Sequence, residues 1–204
     1  MLRPLADLIL PRRCAGCGAA GEVLCPACTP AQGPLTVAGF GVPVLAAARY
    51  DRGFRAAILA YKERGRHELR RSFAALLAET AAGLMRPGAT LVPVPSARAA
   101  ARRRGGDHVR QMADRAAAQL GVALVPALHL TRFVQDSAGL GAAERHANLA
   151  GAMAAHAPPV GAAAVLIDDI VTTGATLHEA MRALYAARWP VVGALALAVT
   201  PLRC

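Results

Sequence analysis

Apolar residues recur along this chain with two different spacings, and each spacing predicts a different kind of element. Spacings of three and four residues are typical of amphipathic helices. They predict helices from Phe54 to a stop at Gly65, from Leu69 to Pro87, and from an N-cap at Asp107 to Gly121. A fourth helix is predicted from about residue 175 to residue 188, where Trp189 and Pro190 end it.

Short apolar runs bounded by proline, glycine or acidic residues predict strands. These runs are residues 91–95, 122–130, 162–167 and 191–199. Strands that alternate with helices imply right-handed crossovers and a parallel sheet. The predicted fold class is therefore α/β, with a parallel sheet flanked by helices and with ligands at the carboxyl ends of the strands.

Two stretches follow neither spacing. Residues 29–43 are rich in glycine, proline and threonine, which predicts a linker or a hairpin with Val37 and Phe40 as candidate strand residues. Residues 131–159 carry several glycines and only weak helical phase around 142–154. We expect this long segment to include a mobile loop.

Composition adds a preference for anionic partners. The formal net charge is +10, and Lys62 is the sole lysine, so nearly all of the positive charge is arginine. Such a balance favours phosphates, nucleotides or nucleic acid. Arginines that are simply solvated at the surface explain the same composition, and both interpretations stay open here.

No apolar run reaches the roughly 18–20 residues that a membrane-spanning helix needs, and residues 1–10 are too interrupted by charge for a signal peptide. The expectation is a cytoplasmic protein without a membrane span. Thiols in that compartment stay reduced, so clustered cysteines there favour a metal site over disulfides.

Two CxxC pairs lie close together near the N-terminus, formed by Cys14, Cys17, Cys25 and Cys28. Four thiolates satisfy tetrahedral Zn²⁺ with no open position, which predicts a structural site. Little hydrophobic mass surrounds the pairs, so residues 1–35 are predicted to be a small zinc-binding module and residues 36–204 the main domain. Two disulfides or four free thiols are the alternative, and Cys204 is interpreted as an incidental free thiol.

The sharpest pattern lies where the apolar run 162–167 ends at Asp168 and Asp169, just before a predicted helix. The start of a helix offers unpaired N–H groups and the positive end of a dipole. The residues of this candidate phosphate loop are Thr172, Thr173, Gly174, Ala175 and Thr176. Glycine admits an anion close to the backbone, and the hydroxyls can donate to phosphate oxygens. The carboxylates suit sugar hydroxyls or a divalent cation, although ordinary helix capping would use the same residue types.

Residues 165–176 resemble the signature of type I phosphoribosyltransferases. In that family the acidic pair holds the ribose hydroxyls, the threonine-rich loop holds the ribose phosphate, and Mg²⁺ accompanies the pyrophosphate. The resemblance implies that Asp168 and Asp169 contact ribose and stabilise an oxocarbenium-like state during catalysis. It places a pyrophosphate loop near residues 95–98, where Ser96 and Arg98 become anion contacts, together with the more distant Arg104 and Arg145.

Taken over nearly its whole length, the chain is similar to the ComF family of competence-associated proteins with a phosphoribosyltransferase-like domain. The matching segments are Pro11-Arg12-Arg13-Cys14, Lys62-x-x-Gly65, Val92-Pro93-Val94-Pro95 and Gln135…Arg145-x-x-Asn148. One segment departs from the family pattern RGFNQ, because this chain has Arg104-Gly105-Gly106-Asp107-His108 in its place.

Two functions follow from the resemblance. In the first, the protein binds phosphoribosyl pyrophosphate with Mg²⁺ and transfers the phosphoribosyl group to a base or amine. In the second, it is a non-catalytic module of DNA uptake that binds single-stranded DNA or competence proteins. An arginine cluster fits either function, and its members are Arg98, Arg102, Arg103, Arg104, Arg110 and Arg115. Aromatic stacking residues are absent from that stretch, which weakens the nucleic-acid interpretation.

Some polar residues have no role that the sequence decides. Lys62 and Arg145 either reach an anionic ligand or project from a helix with their stems packed. The isolated histidines His108, His129 and His146 are assigned neither to metal binding nor to catalysis.

Overall fold

The structure is a computed structural model, and it describes residues 12–31, 33–96, 101, 105–134 and 141–200. The helices and strands of these ranges alternate along most of the chain. In chain order they are β1 (Leu35–Thr36), β2 (Val44–Arg49), α1 (Arg52–Glu63), α2 (Arg70–Ala81), β3 (Ala89–Pro93), α3 (His108–Leu120), β4 (Leu128–Leu130), α4 (Ala142–Leu149), β5 (Met153–Ala155), β6 (Ala163–Val171), α5 (Ala175–Ala186) and β7 (Val191–Val199). A 3₁₀ turn, His67–Leu69, leads into α2.

The central sheet has five strands in the order β1-β2-β7-β6-β3. Neighbouring strands are parallel except for β1, which pairs antiparallel with β2. Leu124 forms a further parallel bridge with Leu91, on the free side of β3. The predicted α/β class is confirmed, and β4 and β5 form a separate antiparallel pair.

Helices cover both faces of the sheet, so the strands are apolar on both sides. On one face, Val165 and Ile167 pack in a core with α1, α2 and α3. On the other face, Ala164 and Leu166 pack in a second core with α5 and the β4–β5 pair. Burial on both faces explains why residues 163–167 of β6 form an unbroken apolar run rather than an alternation.

The side of the sheet on which the following strand is added reverses between β3 and β6. From β3 the chain crosses through α3 to the Leu124 bridge on one side, whereas from β6 it crosses through α5 to β7 on the other side. The pairing of β3 with β6 ends at Pro93 and Ile167, followed by one hydrogen bond from Val94 N to Ile167 O of 2.9 Å. No further pairing of the two strands is seen among the described residues beyond that point, and such a reversal is where open α/β sheets bind ligands.

The structure differs from the sequence prediction at several strands, and β6 continues through the acidic pair to Val171 instead of ending at residue 167. Strand β2 was not predicted, because three of its six residues are alanines, which carry no strand preference. The strand predicted over residues 122–130 is wrong in extent. Only Leu124 bridges to the sheet, and β4 begins after Pro126, which cannot donate a ladder hydrogen bond.

The remaining segments agree more closely with expectation. The first three predicted helices are present, although α2 ends at Ala81, before Pro87. Residues 29–43 do lead into a hairpin, since β1 pairs with β2, but neither candidate strand residue lies in a strand: Val37 follows β1, and Phe40 lies in a bend. The weak helical phase around 142–154 is α4 followed by β5, and residues 135–140 of the predicted mobile loop lie outside the described residues. Across the described ranges, no helix has both the length and the apolar character to cross a membrane.

Candidate functional site

Strand β6 carries Asp168 and Asp169 past the last contact with β3 and into the crevice between the two strand ends. Both residues are nearly buried, with 6% and 7% of their surfaces exposed. Asp169 continues the side-chain row of Val165 and Ile167 and faces α1 and α3. The backbone N–H of Asp169 donates to Asp168 Oδ1 over 2.8 Å, which orients the Asp168 carboxylate.

Two donors from different helices meet on one oxygen of Asp169. Lys62 Nζ, near the end of α1, lies 2.7 Å from Asp169 Oδ2. His108 Nε2, at the start of α3, lies 2.7 Å from the same oxygen. The structure therefore resolves the role left open for Lys62, which pairs with the acidic residue, and it reveals His108 as a contact that sequence reasoning missed.

The two neighbouring carboxyl groups have opposite preferences for a proton. Burial, and then the negative charge of Asp169, raise the pKa of Asp168 to about 7. Burial opposes ionisation of Asp169 as well, but Lys62 and His108 outweigh it and hold the pKa of Asp169 well below its usual range. Asp169 is the permanent anion of the site, and Asp168 changes charge near neutral pH.

The candidate phosphate loop turns directly from β6 into α5. Gly174 occupies the N-cap position of α5 with φ +78°, a left-handed conformation that favours glycine. Since glycine has no side chain, it cannot cap the first turn as serine or threonine would. The loop hydroxyls lie beside this helix start, and Thr173 Oγ1 accepts a 3.4 Å hydrogen bond from Ala175 N.

Close packing gives a second reason for glycine at position 174. A Cβ atom there would lie 2.6 Å from Phe40 Cζ. The Phe40 ring stacks on His178 of α5, with 4.4 Å between ring centroids and 21° between planes. The bend before β2 thus supports the phosphate loop, and His178 Nε2 lies 3.1 Å from the carbonyl oxygen of Gly39 in that bend.

The predicted anion contacts have different outcomes. Arg145 of α4 donates from one Nη to Thr172 Oγ1 over 3.3 Å, so this guanidinium lies at the phosphate loop. Ser96, just beyond β3, donates to the Asp107 carboxylate from its N–H (2.9 Å) and its hydroxyl (3.2 Å). Arg98 and Arg104 lie outside the described residues, as do Arg102, Arg103, Gln135 and Cys204.

The segment that departs from the ComF pattern organises this edge of the sheet. Asp107 caps α3 as predicted and accepts from Val109 N and Arg110 N over 3.1 and 3.2 Å. His108 follows it directly. A crossover helix begins near the carboxyl edge of the strand that precedes it, so the one sequence signal for His108 was its place after the N-cap.

The four N-terminal cysteines form one compact cluster. Their sulfur atoms all lie within 4.8 Å of one another, and such a set could hold a structural metal such as zinc. The N–H groups of Gly16 and Cys25 each donate to Cys14 Sγ over 3.4 Å. Although burial opposes ionisation, these backbone hydrogen bonds lower the pKa of Cys14 to about 6, which favours a thiolate ligand.

The cysteine cluster packs against α1. A Cβ atom on Gly53 would lie 2.5 Å from Cys28 Sγ, so α1 approaches the cluster at a glycine. Arg66 donates from one Nη to Arg13 O over 2.7 Å. Cys14, Leu24 and Cys28 belong to the same buried core as α1, α2 and α3.

Comparison with models of known protein families and with curated proteins gives no match to this chain. Two buried carboxylates near the end of β6 are followed by a helix start whose N-cap glycine offers no side-chain cap and by a loop that a guanidinium contacts. This arrangement suits a ligand that carries both hydroxyl and phosphate groups.

Proposed function

We propose that this protein binds phosphoribosyl pyrophosphate, or a related ribose phosphate, together with Mg²⁺. In this proposal it is a ComF-like member of the type I phosphoribosyltransferase fold. The observation that carries the proposal is the adjacency of the Asp168-Asp169 pair and the open start of α5 at the switch point of the sheet.

The phosphate of the ligand fits the loop before α5. Backbone N–H groups and the dipole of α5 favour an anion at this position. Gly174 brings the backbone close, and the hydroxyl groups of Thr172 and Thr173 lie beside it. Arg145, which already reaches Thr172, adds a positive charge that can pair with phosphate oxygens.

The ribose ring fits over the acidic pair. An ionised carboxylate such as that of Asp169 accepts hydrogen bonds and cannot donate them, so it discriminates for hydroxyl groups and against phosphate oxygens. Asp168 and Asp169 lie near the end of β6, and the phosphate loop begins where this strand ends. A sugar that carries hydroxyls a few ångströms from its phosphate satisfies both halves of the site.

The pyrophosphate group of the ligand would lie near Ser96, just beyond the end of β3. Mg²⁺ would neutralise the pyrophosphate, and the oxygen-rich acidic pair fits a hard cation of this kind. Lys62 borders the same crevice, and its ammonium group can turn from Asp169 toward a phosphate.

Transfer of the phosphoribosyl group is the second part of the proposal. In that reaction the bond between ribose C1 and the pyrophosphate oxygen breaks, the pyrophosphate leaves with the electron pair, and a nitrogen lone pair of the acceptor forms the new bond to C1. The ring carries positive charge between these events. Asp168 and Asp169 stabilise that charge electrostatically, and no residue of the described ranges is assigned as a general base.

We further infer that the cysteine cluster holds Zn²⁺ as a structural ion. Four thiolates leave no coordination position open for chemistry. Metal analysis of the purified protein should give one zinc per chain, and a content far below that would contradict the inference.

Calorimetric titration of phosphoribosyl pyrophosphate with Mg²⁺ tests the binding proposal. The wild-type protein should bind, and the double variant Asp168→Asn/Asp169→Asn should lose most of the affinity. Asp114→Asn, an exposed carboxyl on α3, is the matched control and should bind as the wild type does. Equal binding by all three proteins, or binding by none, would overturn the site.

Turnover is measured separately. Pyrophosphate release is followed after adding candidate bases and amines to the protein with Mg²⁺ and phosphoribosyl pyrophosphate. Release that depends on one acceptor, and that the double variant lacks, supports a transferase. Tight binding without release for any acceptor supports a protein that senses the ligand.

A further inference from the structure

We propose that His108 is a positioning residue of this site: its Nε2 donor holds Asp169 by Oδ2, so that Oδ1 is presented to the ribose hydroxyls. The inference rests on the proposed function for the identity of the ligand. The contact between His108 and Asp169 can be tested without any ligand.

Both donors to Asp169 use the same carboxylate oxygen. Lys62 Nζ and His108 Nε2 each lie 2.7 Å from Oδ2. Neither of these two hydrogen bonds uses Oδ1. Two donors on one oxygen restrain the direction of the carboxylate, and the second oxygen remains available as an acceptor to a ligand.

Of the two donors, His108 is the one that stays in place when an anionic ligand arrives. The Lys62 side chain is 26% exposed, and its flexible stem lets the ammonium group move toward phosphate. The His108 side chain is only 6% exposed. Tyr61 donates to the His108 carbonyl oxygen over 2.9 Å, which anchors the backbone at this position.

The hydrogen bonds also assign the proton on the imidazole ring. Nδ1 of His108 is buried and has no partner among the described residues. An N–H buried without an acceptor is costly, whereas Nε2 has the Asp169 carboxylate as its acceptor. The proton therefore lies on Nε2, and the ring acts as a donor to Asp169.

The neighbouring residue extends the same arrangement to β3. Asp107 accepts two hydrogen bonds from Ser96, at the end of β3, while His108 reaches the end of β6. The start of α3 thus holds both strand ends that border the crevice. A donor at position 108 therefore orients the Asp169 carboxylate relative to the ends of β3 and β6.

Three variants of His108 separate the donor from the volume of the side chain. His108→Gln keeps an N–H donor at a similar distance from the backbone. His108→Met and His108→Phe remove the donor but fill a comparable volume with an apolar side chain. In calorimetric titration with Mg²⁺ and phosphoribosyl pyrophosphate, we expect His108→Gln to bind within about twofold of the wild type. Loss of one hydrogen bond to a charged group predicts affinity about tenfold weaker for the other two.

Carboxyl NMR of the protein without ligand tests the contact itself. The pKa of Asp169 should be higher in His108→Met and His108→Phe than in the wild type and His108→Gln, since the hydrogen bond from His108 favours the ionised form. Asp168 and Lys62 also face Asp169, and they are unchanged in all four proteins.

The outcomes are distinguishable. Identical Asp169 titrations in the four proteins, or an affinity for His108→Gln as weak as that of His108→Met, would overturn the role of His108. Absence of binding to the wild type would overturn the proposed function instead, and the carboxyl titration would then decide the contact alone. His108→Phe keeps the test open if His108→Met does not fold, and the reverse also holds.

Discussion

At the scale of single residues, the site depends on two adjacent carboxyl groups that differ in charge. Asp169 is ionised because two donors meet on one of its oxygens. Asp168 has no such donor from a side chain and lies beside that anion, so its pKa rises to about 7. Neighbours in sequence therefore perform different tasks, and a pH dependence follows from the difference.

Asp168 should make the stability of the protein fall as pH rises. Its pKa is about 7 in the native state against 3.8 ordinarily, so between these values the native state holds a proton that the unfolded chain has released. The free energy of unfolding declines over that window. Asp168→Asn removes the effect. The free energy of unfolding of this variant, relative to that of the wild type, should therefore rise from about pH 4 to about pH 7 and then level off.

Urea unfolding at a series of pH values measures this difference. Asp114→Asn, which alters an exposed carboxyl, serves as the control and should show no comparable growth. If the free energy of unfolding of Asp168→Asn, relative to that of the wild type, fell between pH 4 and pH 7, the assigned direction of the Asp168 pKa shift would be contradicted.

Gly174→Ala should damage both the loop and the ligand site. The left-handed backbone alone costs a residue with a Cβ about 1–2 kcal/mol, and the new atom would also press on the Phe40 ring. Gly121 has a similar φ of +67° but open space around it, so Gly121→Ala carries the backbone cost without the contact. Thermal melting and ligand titration of the two variants should show the larger losses for Gly174→Ala, and equal losses would argue against the Phe40 contact.

At the scale of helices and strands, the prediction succeeded where local sequence determines structure. The unit from β6 to α5 was predicted because its apolar run, acidic pair and glycine turn are contiguous. Strand β2 was missed, because its alanines become strand residues only through pairing with β7. Tertiary pairing rather than local preference decides such a segment.

The contacts of the site could be predicted only in part for the same reason. Asp168, Asp169 and the phosphate loop are consecutive in sequence, so one motif identifies them. Lys62 and His108 reach Asp169 from positions 107 and 61 residues away. Only the packing of α1 and α3 on one face of the sheet brings them there.

An ion pair within α5, between buried Glu179 and half-exposed Arg182, also hydrogen-bonds to the backbone of Met153 in β5 and should stabilise that side of the fold. Glu179, 6% exposed, accepts from Met153 N over 2.9 Å and from Arg182 over 2.8 Å. Glu179→Gln places an amide donor where those donors point, so we expect a loss of about 1–3 kcal/mol in the free energy of unfolding. Glu79→Gln, on the exposed side of α2, is the control for chemical denaturation, and losses of equal size would contradict the role of the pair.

At the scale of the whole molecule, the cysteine cluster and the sheet share one core. Cys28 packs on Gly53 of α1, and α1 carries Lys62 into the candidate ligand site. The N-terminal cysteines and the acidic pair are thus connected through a single helix. Loss of the proposed zinc ion should loosen α1 as well as the cluster.

Gly53→Ala tests that connection. Alanine is favoured over glycine in a helix by about 1 kcal/mol, but here its Cβ would meet Cys28 Sγ. We expect lower zinc retention after dialysis against a chelator and a lower melting temperature. Gly83→Ala, where no atom lies within 4 Å, is the control and should keep its zinc. Full zinc retention and a raised melting temperature for Gly53→Ala would contradict the packing of the cluster on α1.

Amide NMR spectra recorded during titration with Mg²⁺ and phosphoribosyl pyrophosphate test the central claim most directly. The largest changes should occur at the amides of Asp169, Thr172, Thr173 and Gly174, where the acidic pair meets the start of α5. The chemical shifts of the amides in the cysteine cluster should not change. Largest changes at that cluster or on the outer surface of α2, or an unchanged spectrum at high ligand concentration, would contradict the proposed site.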